Sequence, residues 1–316
     1  MIKKKIKAIY FCFLPLLFLD CCAGFENPDA PVKEPHEPGC FINVSDNSQL
    51  FVYSYQPEGE IRASIYILSG ITGIDHYQEE DIISLLSAGG NRVVIIHPRG
   101  TGYSQGTRGD IKDFGRFLLD YEEVIQKDFF DANRHEKIIL YGHSMSTAVA
   151  LYVCRKLSRT DGIILINPPY KMKNSQGMTP SLWDYIIYGA YFIFAPHTPV
   201  VNMAGKPELI KNSEEREEAQ KRNNNPLLVK YFSMYMMFES RKLMDNMLFY
   251  GEQANSPLLL IYGTADSIVD KSGCDALYEK WKQPLKKYIL VEKGPHGKKT
   301  VKEAAVTIKS WIEELP

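Results

Sequence analysis

The stretch that decides the fold reads KIILYGHSMSTAVAL and runs from Lys137 to Leu151. Its first part is a short apolar run with the length and composition of one buried strand. Gly142 then allows a tight turn, and the small residues after Ser144 let a following helix approach the strand closely. A serine at such a strand–turn–helix junction is strained and exposed beside helix N–H groups that favour negative charge. The stretch therefore predicts that Ser144 is a nucleophile, whereas the alternative is a serine that merely caps a helix.

Apolar strand patterns alternate with helical patterns on both sides of this stretch. The alternation predicts a mainly parallel, eight-stranded sheet flanked by helices. The inner strands are continuous apolar runs, as in Val93–Ile96, because both faces of such a sheet are covered. The predicted strands are 41–44, 50–55, 61–68, 92–97, 137–141, 162–166, 258–262 and 286–291, and the predicted helices are 77–88, 113–130, 145–158, 272–282 and 299–314.

Residues 170–250 interrupt this alternation and contain no convincing strand pattern. A structureless loop of this length is improbable in a compact domain, so we expect a helical insertion, which we call the cap. Aromatic residues and the methionine-rich run Met234–Met237 suit an apolar site for an acyl chain, although packing of the cap onto the core explains most of them more simply. The aromatic residues are Trp183, Tyr185, Tyr188, Tyr191, Phe192 and Phe194.

A nucleophilic serine needs a general base, and the base needs a carboxylate that orients it. Beyond Ser144, Asp266 and His296 each follow an apolar strand pattern, in that order. The carboxyl ends of parallel strands meet at one edge of a sheet, where ligands bind. The sequence thus predicts a catalytic triad of Ser144, Asp266 and His296. Asp270 is the alternative acid, which otherwise caps the next helix, and His143 is expected to point away from the serine.

Acyl transfer also needs N–H donors for the negatively charged oxygen of the intermediate. The segment Ser69–Gly73, SGITG, follows a predicted strand and is a flexible loop whose backbone is able to face the serine. We expect the backbone N–H groups of Ile71 and Met145 to be these donors. The glycines of the loop are also compatible with an ordinary turn.

Several segments together resemble the monoacylglycerol lipase and lysophospholipase branch of the α/β-hydrolases, which also includes serine aminopeptidase-like members. They are GHSM at 142–145, HPRGTGYS at 97–104 with GTRG at 106–109, NPL at 225–227 and GTADSIV at 263–269. The resemblance covers about residues 45–314. It implies the α/β-hydrolase fold with a helical cap, the triad Ser144, Asp266 and His296, and the oxyanion donors Ile71 and Met145.

Three residues depart from the family pattern. Ser69 stands where the family has a histidine. Ser146 stands where the family has the last glycine of the turn around the serine, residues 142–146, which we call the elbow. His97 stands where the family has an aspartate two residues before the pair Arg99–Gly100. None of these departures removes a catalytic group. They do leave the substrate open.

The resemblance implies hydrolysis of a carboxylic ester of lipid type, a monoacylglycerol or a lysophospholipid, by acyl transfer through Ser144 without metal or organic cofactor. An exported peptidase or amidase would use the same triad and would need a cap carboxylate for the substrate amine. The candidates for that carboxylate are Glu214, Glu215, Glu217 and Glu218. A third possibility, a non-catalytic binding lipoprotein with this fold, predicts a distorted triad.

The N-terminal residues 1–22 have the pattern of a secretory signal. Four lysines precede the apolar run Ile9–Leu19, which is shorter than the roughly 20 residues of a spanning helix. The letters LDCC at 19–22 resemble the lipobox of bacterial lipoproteins, with Cys22 or Cys21 as the lipidated residue. We therefore expect export and a lipid anchor in a bacterial membrane, at the periplasm or the cell surface, with plain secretion or an uncleaved anchor as the alternatives. Residues 23–39 carry four prolines among charged residues and predict a tether, and the hydrolase domain follows at 40–316.

The overall composition excludes several other classes. Lys+Arg 37 and Asp+Glu 38 give a net charge of -1, so no global field favours nucleic acid. Beyond the signal only Cys40, Cys154 and Cys274 remain, which is not a disulfide framework, and neither a CxxC nor an HExxH motif supports zinc. The expected partners are a small ester or lipid substrate and a membrane; the sequence leaves the oligomeric state open.

Overall fold

The computed structural model describes residues 24–27, 29, 38–73, 80–87, 89–173, 182–204, 208 and 213–316. The predicted signal sequence and the start of the helix predicted at 77–88 lie outside the described residues. Within the described residues, no helix combines the length and the apolar character that crossing a bilayer requires.

The centre of the protein is an eight-stranded sheet in the order β1-β2-β4-β3-β5-β6-β9-β10. The strands of this sheet are β1 (Gly39–Asn43), β2 (Gln49–Tyr55), β3 (Ala63–Leu68), β4 (Asn91–Ile96), β5 (Lys137–His143), β6 (Gly162–Ile166), β9 (Leu258–Gly263) and β10 (Lys286–Val291). Strand β2 is antiparallel to β1 and β4, whereas every other pair is parallel. The predicted mainly parallel sheet is confirmed.

Helices cover both faces of the sheet. The α-helices of the described residues, including those of the cap, are α1 (Glu80–Ser87), α2 (Phe114–Ile125), α3 (Ser146–Cys154), α4 (Leu182–Phe194), α5 (Ser213–Asn223), α6 (Met234–Asp245), α7 (Met247–Gln253), α8 (Lys271–Lys280) and α9 (Lys298–Glu314). A π-helical turn, Gln126–Phe130, follows α2. Alternate residues of the inner strands enter two separate core layers: Val94 packs with α2 and α3, and its neighbour Val93 packs with α1 and α9. Because both faces of the sheet are buried, the carboxyl ends of its inner strands are held in place between the two helical layers.

The cap contains α4, α5 and α6, as predicted, but the expectation that it lacks strands was wrong. Strand β7 (Pro199–Asn202) pairs antiparallel with β8 (Tyr231–Ser233). Two features explain why these two strands were not predicted. Both strands are too short to show a period of two, and β7 begins with a proline, which is tolerated at the first residue of a strand.

Part of the stretch predicted as a tether is also ordered on the domain. Gly24–Asn27 lies against β7 and β8, where the backbone N–H of Phe25 donates to the carbonyl oxygen of Pro199 at 2.8 Å. Gly39, at the other end of the predicted tether, already belongs to β1. Proline-rich composition alone did not reveal these contacts, because they depend on the cap strands.

Candidate active site

Ser144 lies between the end of β5 and the start of α3, in a backbone conformation with φ of 55°. Its N–H donates to the carbonyl oxygen of Ile166 at 2.9 Å, which attaches the turn to β6. Gly142 is required by close approach, because a Cβ there would lie 2.7 Å from the carbonyl oxygen of Ser146 and 2.8 Å from the Cα of Thr147. The strained turn exposes the serine hydroxyl at the carboxyl edge of the sheet, as the sequence predicted.

The structure brings Ser144, Asp266 and His296 together into one chain of hydrogen bonds. The Nε2 atom of His296 lies 2.8 Å from the Ser144 hydroxyl, and its Nδ1 atom lies 2.7 Å from Oδ2 of Asp266. A carboxylate only accepts hydrogen bonds, so Nδ1 carries the hydrogen and Nε2 accepts from the serine. This arrangement allows His296 to remove the serine proton and Asp266 to stabilise the imidazolium that results.

Asp266 is buried in a loop that satisfies its carboxylate. Its Oδ1 atom accepts from the backbone N–H groups of Ile268 and Val269 at 2.7 and 2.8 Å. Burial raises the pKa of Asp266, but the hydrogen bond and charge of His296 together with these two N–H groups outweigh it and leave the pKa below its usual value. The acid is therefore ionised wherever His296 needs it.

Asp270, the alternative acid, has a different task. Its side chain accepts from the backbone N–H of Ser272 at 2.8 Å and caps α8. The structure therefore places Asp266, and not Asp270, against the histidine.

His143 does not point away from the site, and that expectation was wrong. Its Nε2 atom lies 2.7 Å from the carbonyl oxygen of His296, to which it must donate. The amide of Asn167 donates to the same oxygen at 3.2 Å, while its Oδ1 accepts from the N–H of Gly263 at 2.9 Å. Two donors, His143 and Asn167, thus hold the backbone carbonyl of His296 in place. Asn167 was not singled out from the sequence; its position directly after β6 was the signal.

The environment of His143 keeps its ring neutral. Burial and the neighbouring ring of His296, whose centroid is 5.3 Å away, lower the pKa of His143 to about 4. A second positive charge at this distance would oppose formation of the His296 imidazolium. Neutral His143 supplies a hydrogen bond without this cost.

The segment Ser69–Gly73 forms the predicted loop beside the serine. A Cβ at Gly70 would lie 3.0 Å from the Cε of Met145 and 3.9 Å from the N atom of Ser146, so the loop faces the elbow closely. Ile71 is buried within this loop. The roles of the Ile71 and Met145 N–H groups as oxyanion donors stay a prediction, which this placement favours.

The residues that depart from the family pattern occupy structural positions. The hydroxyl of Ser69 donates to the carbonyl oxygen of Ile96 at 2.9 Å, and the hydroxyl of Ser146 accepts from the N–H of His143 at 2.8 Å. The Nδ1 atom of His97 accepts from the N–H of Tyr103 at 3.2 Å, inside the loop that follows β4. Each of these three side chains makes a hydrogen bond to a nearby backbone group.

An apolar cleft of about 430 Å³ opens between α4 and α6 of the cap. Its lining residues are Tyr185, Tyr188, Gly189, Phe192, Met234, Met237 and Phe238. Several cap residues predicted for an acyl-chain site therefore share one cleft, although the triad is not part of its lining. Trp183 and Phe194 are instead exposed, at 71% and 70%.

The fold and the site together define the class of protein. A serine on a strand–helix elbow, with an acid and a histidine after later strands of a mainly parallel eight-stranded sheet, is the arrangement of an α/β-hydrolase. The relatives described below make it a carboxylic ester hydrolase. A family model described as serine aminopeptidase, S33 matches residues 59–298. The chain belongs to this family.

Relatives and solved structures agree with this assignment. The monoglyceride lipase of Rattus norvegicus is 24% identical over 300 residues, which cover 90% of this chain and 88% of the relative. The human monoglyceride lipase is 24% identical over 275 residues, covering 84% and 86%.

Two solved structures share the fold. The Paleococcus ferrophilus monoacylglycerol lipase superposes with a TM-score of 0.67 at 19% identity and covers 83% of this chain and 98% of its own. A soluble variant of the Saccharomyces cerevisiae monoglyceride lipase, in complex with a substrate analogue, gives 0.73 at 15% identity and covers 92% and 98%.

Proposed function

We propose that the protein hydrolyses a lipid-type carboxylic ester, a monoacylglycerol or a lysophospholipid, through an acyl-enzyme on Ser144. The observation that carries the proposal is the unbroken hydrogen-bond chain from Ser144 through His296 to Asp266, with separations of 2.8 and 2.7 Å. A non-catalytic binding protein would not need to keep these three side chains within hydrogen-bond distance. The intact series of hydrogen bonds therefore argues against a non-catalytic binding protein.

The first half-reaction forms the acyl-enzyme. His296 takes the Ser144 proton at Nε2 as the hydroxyl oxygen attacks the ester carbonyl, and Asp266 stabilises the imidazolium at Nδ1. The N–H groups of Ile71 and Met145 hold the negative oxygen of the tetrahedral intermediate. His296 then returns the proton to the departing alkoxide, so the alcohol leaves and the acyl group stays on Ser144.

The second half-reaction releases the acid. His296 takes a proton from water, the hydroxide attacks the acyl carbonyl, and the collapsing intermediate expels the Ser144 oxygen, which recovers its proton from His296. All proton transfers therefore pass through one nitrogen atom, Nε2. The two donors on the His296 carbonyl keep that atom aimed at the serine.

The lipid character of the substrate is supported by the cap. Its cleft is lined by aromatic residues and two methionines, which adapt to irregular apolar ligands. The names of the relatives and of the two solved structures, monoglyceride or monoacylglycerol lipases, agree with a monoacylglycerol ester as the substrate.

A panel of p-nitrophenyl esters of increasing chain length, followed by monoacylglycerols and lysophospholipids, tests this substrate class. We expect kcat/KM to rise with chain length up to the medium or long acyl chains. The double variant Met237→Ser and Phe192→Ser in the cleft should lose this rise while keeping activity on the acetate. A preference for the acetate in the unaltered protein would contradict the lipid assignment.

A peptidase is the second candidate, which the description of the matching family favours. It needs a cap carboxylate that is available to a substrate amine. Glu217 is exposed on α5 and pairs with Lys221 at 2.8 Å, as expected for a solvated helix face; the side chains of Glu214, Glu215 and Glu218 lie outside the described residues. Aminoacyl amides with short side chains distinguish the ester hydrolase from the peptidase. Faster cleavage of these amides than of matched esters would establish the peptidase.

We also propose that the protein is an exported lipoprotein anchored through Cys22 or Cys21, on the sequence pattern alone. Mass spectrometry of the N-terminal peptide in Cys22→Ser and Cys21→Ser variants tests it. Loss of the lipid in only one variant identifies the modified residue. An unmodified cysteine pair in the unaltered protein would refute the anchor.

A further inference from the structure

The core segment at residues 106–110 meets the cap where strand β8 leads into helix α6. The carbonyl oxygen of Gly109 accepts from the backbone N–H of Ser233 at 2.8 Å, and a Cβ at Gly109 would collide with the carbonyl oxygen of Tyr231. The segment includes the stretch that resembles the G-x-R-G pattern of the family, and the reaction steps proposed above use none of its residues. Its close fit to β8 shows that the cap is seated on it.

Asp110, the last residue of this segment, binds two cap residues with its side chain. Its Oδ1 atom accepts from the hydroxyl of Ser233 at 2.5 Å, and the Nδ1 atom of His197 lies 3.1 Å from both carboxylate oxygens. Because a carboxylate only accepts hydrogen bonds, Nδ1 of His197 carries a hydrogen and donates it. The Asp110 side chain is 6% exposed and Ser233 is fully buried, whereas the His197 side chain is 42% exposed.

These two partners of Asp110 stand at the ends of two cap helices. Ser233 is the N-cap of α6, and its hydroxyl accepts from the N–H of Met236 at 3.1 Å. His197 lies in the turn that follows α4, and its ring packs on that of Tyr235 in the first turn of α6, with centroids 4.6 Å apart. The N–H of Tyr235 also donates to the carbonyl oxygen of Pro196 at 2.9 Å. One carboxylate of the core thus joins the end of α4 to the start of α6.

Helices α4 and α6 are the two walls of the apolar cleft. The wall from α4 includes Tyr188 and Phe192, and the wall from α6 includes Met234, which follows Ser233 directly. The rings of Phe192 and Phe238 bring the walls together, with centroids 5.3 Å apart. Because a helix moves as a rigid element, the position of its end fixes the positions of the side chains that it presents to the cleft.

Burial of the Asp110 carboxylate makes its two contacts matter. A buried charge is costly unless it is paired and hydrogen-bonded, and removal of one partner leaves part of that cost uncompensated. The next residue, Ile111, belongs to the buried core, so Asp110 has little freedom to move toward water. Loss of a donor on the cap side therefore displaces the end of a cap helix and leaves the core in place.

We propose that Asp110 is a positioning residue for the acyl chain, which sets the separation of α4 and α6 through His197 and Ser233 and thereby the chain length that the cleft accepts. Neither Asp110 nor its two partners line the cleft or belong to the hydrogen-bond chain of the triad, so they act through the two helices. This inference rests on the lipid-ester function proposed above, because it takes the cleft as the site of the acyl chain.

Kinetics of His197 variants on p-nitrophenyl acetate and p-nitrophenyl decanoate test the proposal. His197→Leu keeps an apolar contact with Tyr235 but removes the N–H that bonds Asp110. We expect this variant to raise KM for the decanoate roughly tenfold, with kcat on both esters and KM for the acetate unchanged. His197→Asn retains an N–H donor and should restore most of the loss, and His135→Leu, on an exposed loop, is the matched control.

A double-variant cycle shows whether His197 acts through Asp110. Asp110→Ala should raise KM for the decanoate at least as much as His197→Leu, and the double variant should add nothing to the effect of Asp110→Ala. Additive effects of the two substitutions would overturn the proposal. So would equal losses on the acetate and the decanoate in His197→Leu, or a His197→Asn protein as impaired as His197→Leu.

Amide hydrogen exchange tests the position of the helices without any substrate. We expect faster exchange in α4 and α6 of His197→Leu than of the unaltered protein, and the same exchange in α3 of both. Unchanged exchange in α4 and α6, with the preference of the unaltered protein for the decanoate intact, would refute the positioning role alone. A preference for the acetate in the unaltered protein would instead refute the acyl-chain site, and this proposal with it.

Discussion

Asp266 and Asp270 show how position separates two chemically identical side chains. One faces His296 at 2.7 Å, and the other caps α8 through the N–H of Ser272 at 2.8 Å. Asp266→Asn should keep the fold but lower kcat by roughly 10⁴-fold, because the amide favours the wrong tautomer of the histidine. Asp270→Ala should leave kcat unchanged and lower the free energy of unfolding through loss of the helix cap. Ester kinetics and urea unfolding of both variants check the pair; equal kinetic losses would contradict the assignment.

His143 is expected to act as a positioning residue. His143→Phe keeps a ring of similar size but removes the N–H that bonds the His296 carbonyl at 2.7 Å. Because the base is then held by Asn167 alone, we expect kcat to fall roughly tenfold with KM unchanged. His135→Phe, on an exposed loop, is the control. An effect on KM alone, or no effect on kcat, would show that the bond does not position the base.

The elbow is the element whose geometry the sequence specifies most strictly. Gly142→Ala would place a methyl group 2.7 Å from the Ser146 carbonyl oxygen and 2.8 Å from the backbone of Thr147, both fixed by α3. We expect a loss of about 1–3 kcal/mol in the free energy of unfolding, as for other overpacked sites, together with slower reaction of Ser144. Gly59→Ala meets no atom within 4 Å and serves as the control, although its φ of 88° adds strain of its own. A stable, fully active Gly142→Ala protein would refute the close packing.

Elements with continuous apolar runs could be predicted from the sequence, and elements that depend on distant partners could not. Strand β6 was predicted with the bounds that the structure gives, since burial on both faces leaves a local signature. The half-exposed edge strand β10 was also predicted with the bounds that the structure gives. The pair β7 and β8 was missed because each strand is short and its partner lies far along the chain.

The same limit applies to the site. Ser144, Asp266 and His296 could be predicted because each follows a strand pattern. No local sequence pattern predicts that Asn167 binds the His296 carbonyl or that Asn27 binds β8. Side-chain amides that join segments distant in sequence carry no periodicity. They become visible only when the segments are placed in space.

Stability of the whole molecule should depend on pH through His143. Its pKa is about 4 in the folded protein against an ordinary value of 6.5, so the unfolded chain binds a proton in this interval that the folded chain does not. The free energy of unfolding therefore falls as the pH drops from 6.5 toward 4, and this part of the loss should be absent in His143→Phe. Urea unfolding at about pH 7.5 and about pH 5 measures it in both proteins. Equal losses in the two proteins would contradict the shifted pKa.

At the scale of the whole molecule, we expect Ser144, exposed on the elbow and activated by His296, to perform the chemistry. Labelling with a fluorophosphonate probe, followed by identification of the modified peptide, tests it most directly. We expect rapid labelling at Ser144, labelling slowed by roughly a thousandfold or more in His296→Ala, and none in Ser144→Ala, with all three proteins folded. Folded protein that resists the probe, or that is labelled at another residue, would contradict it.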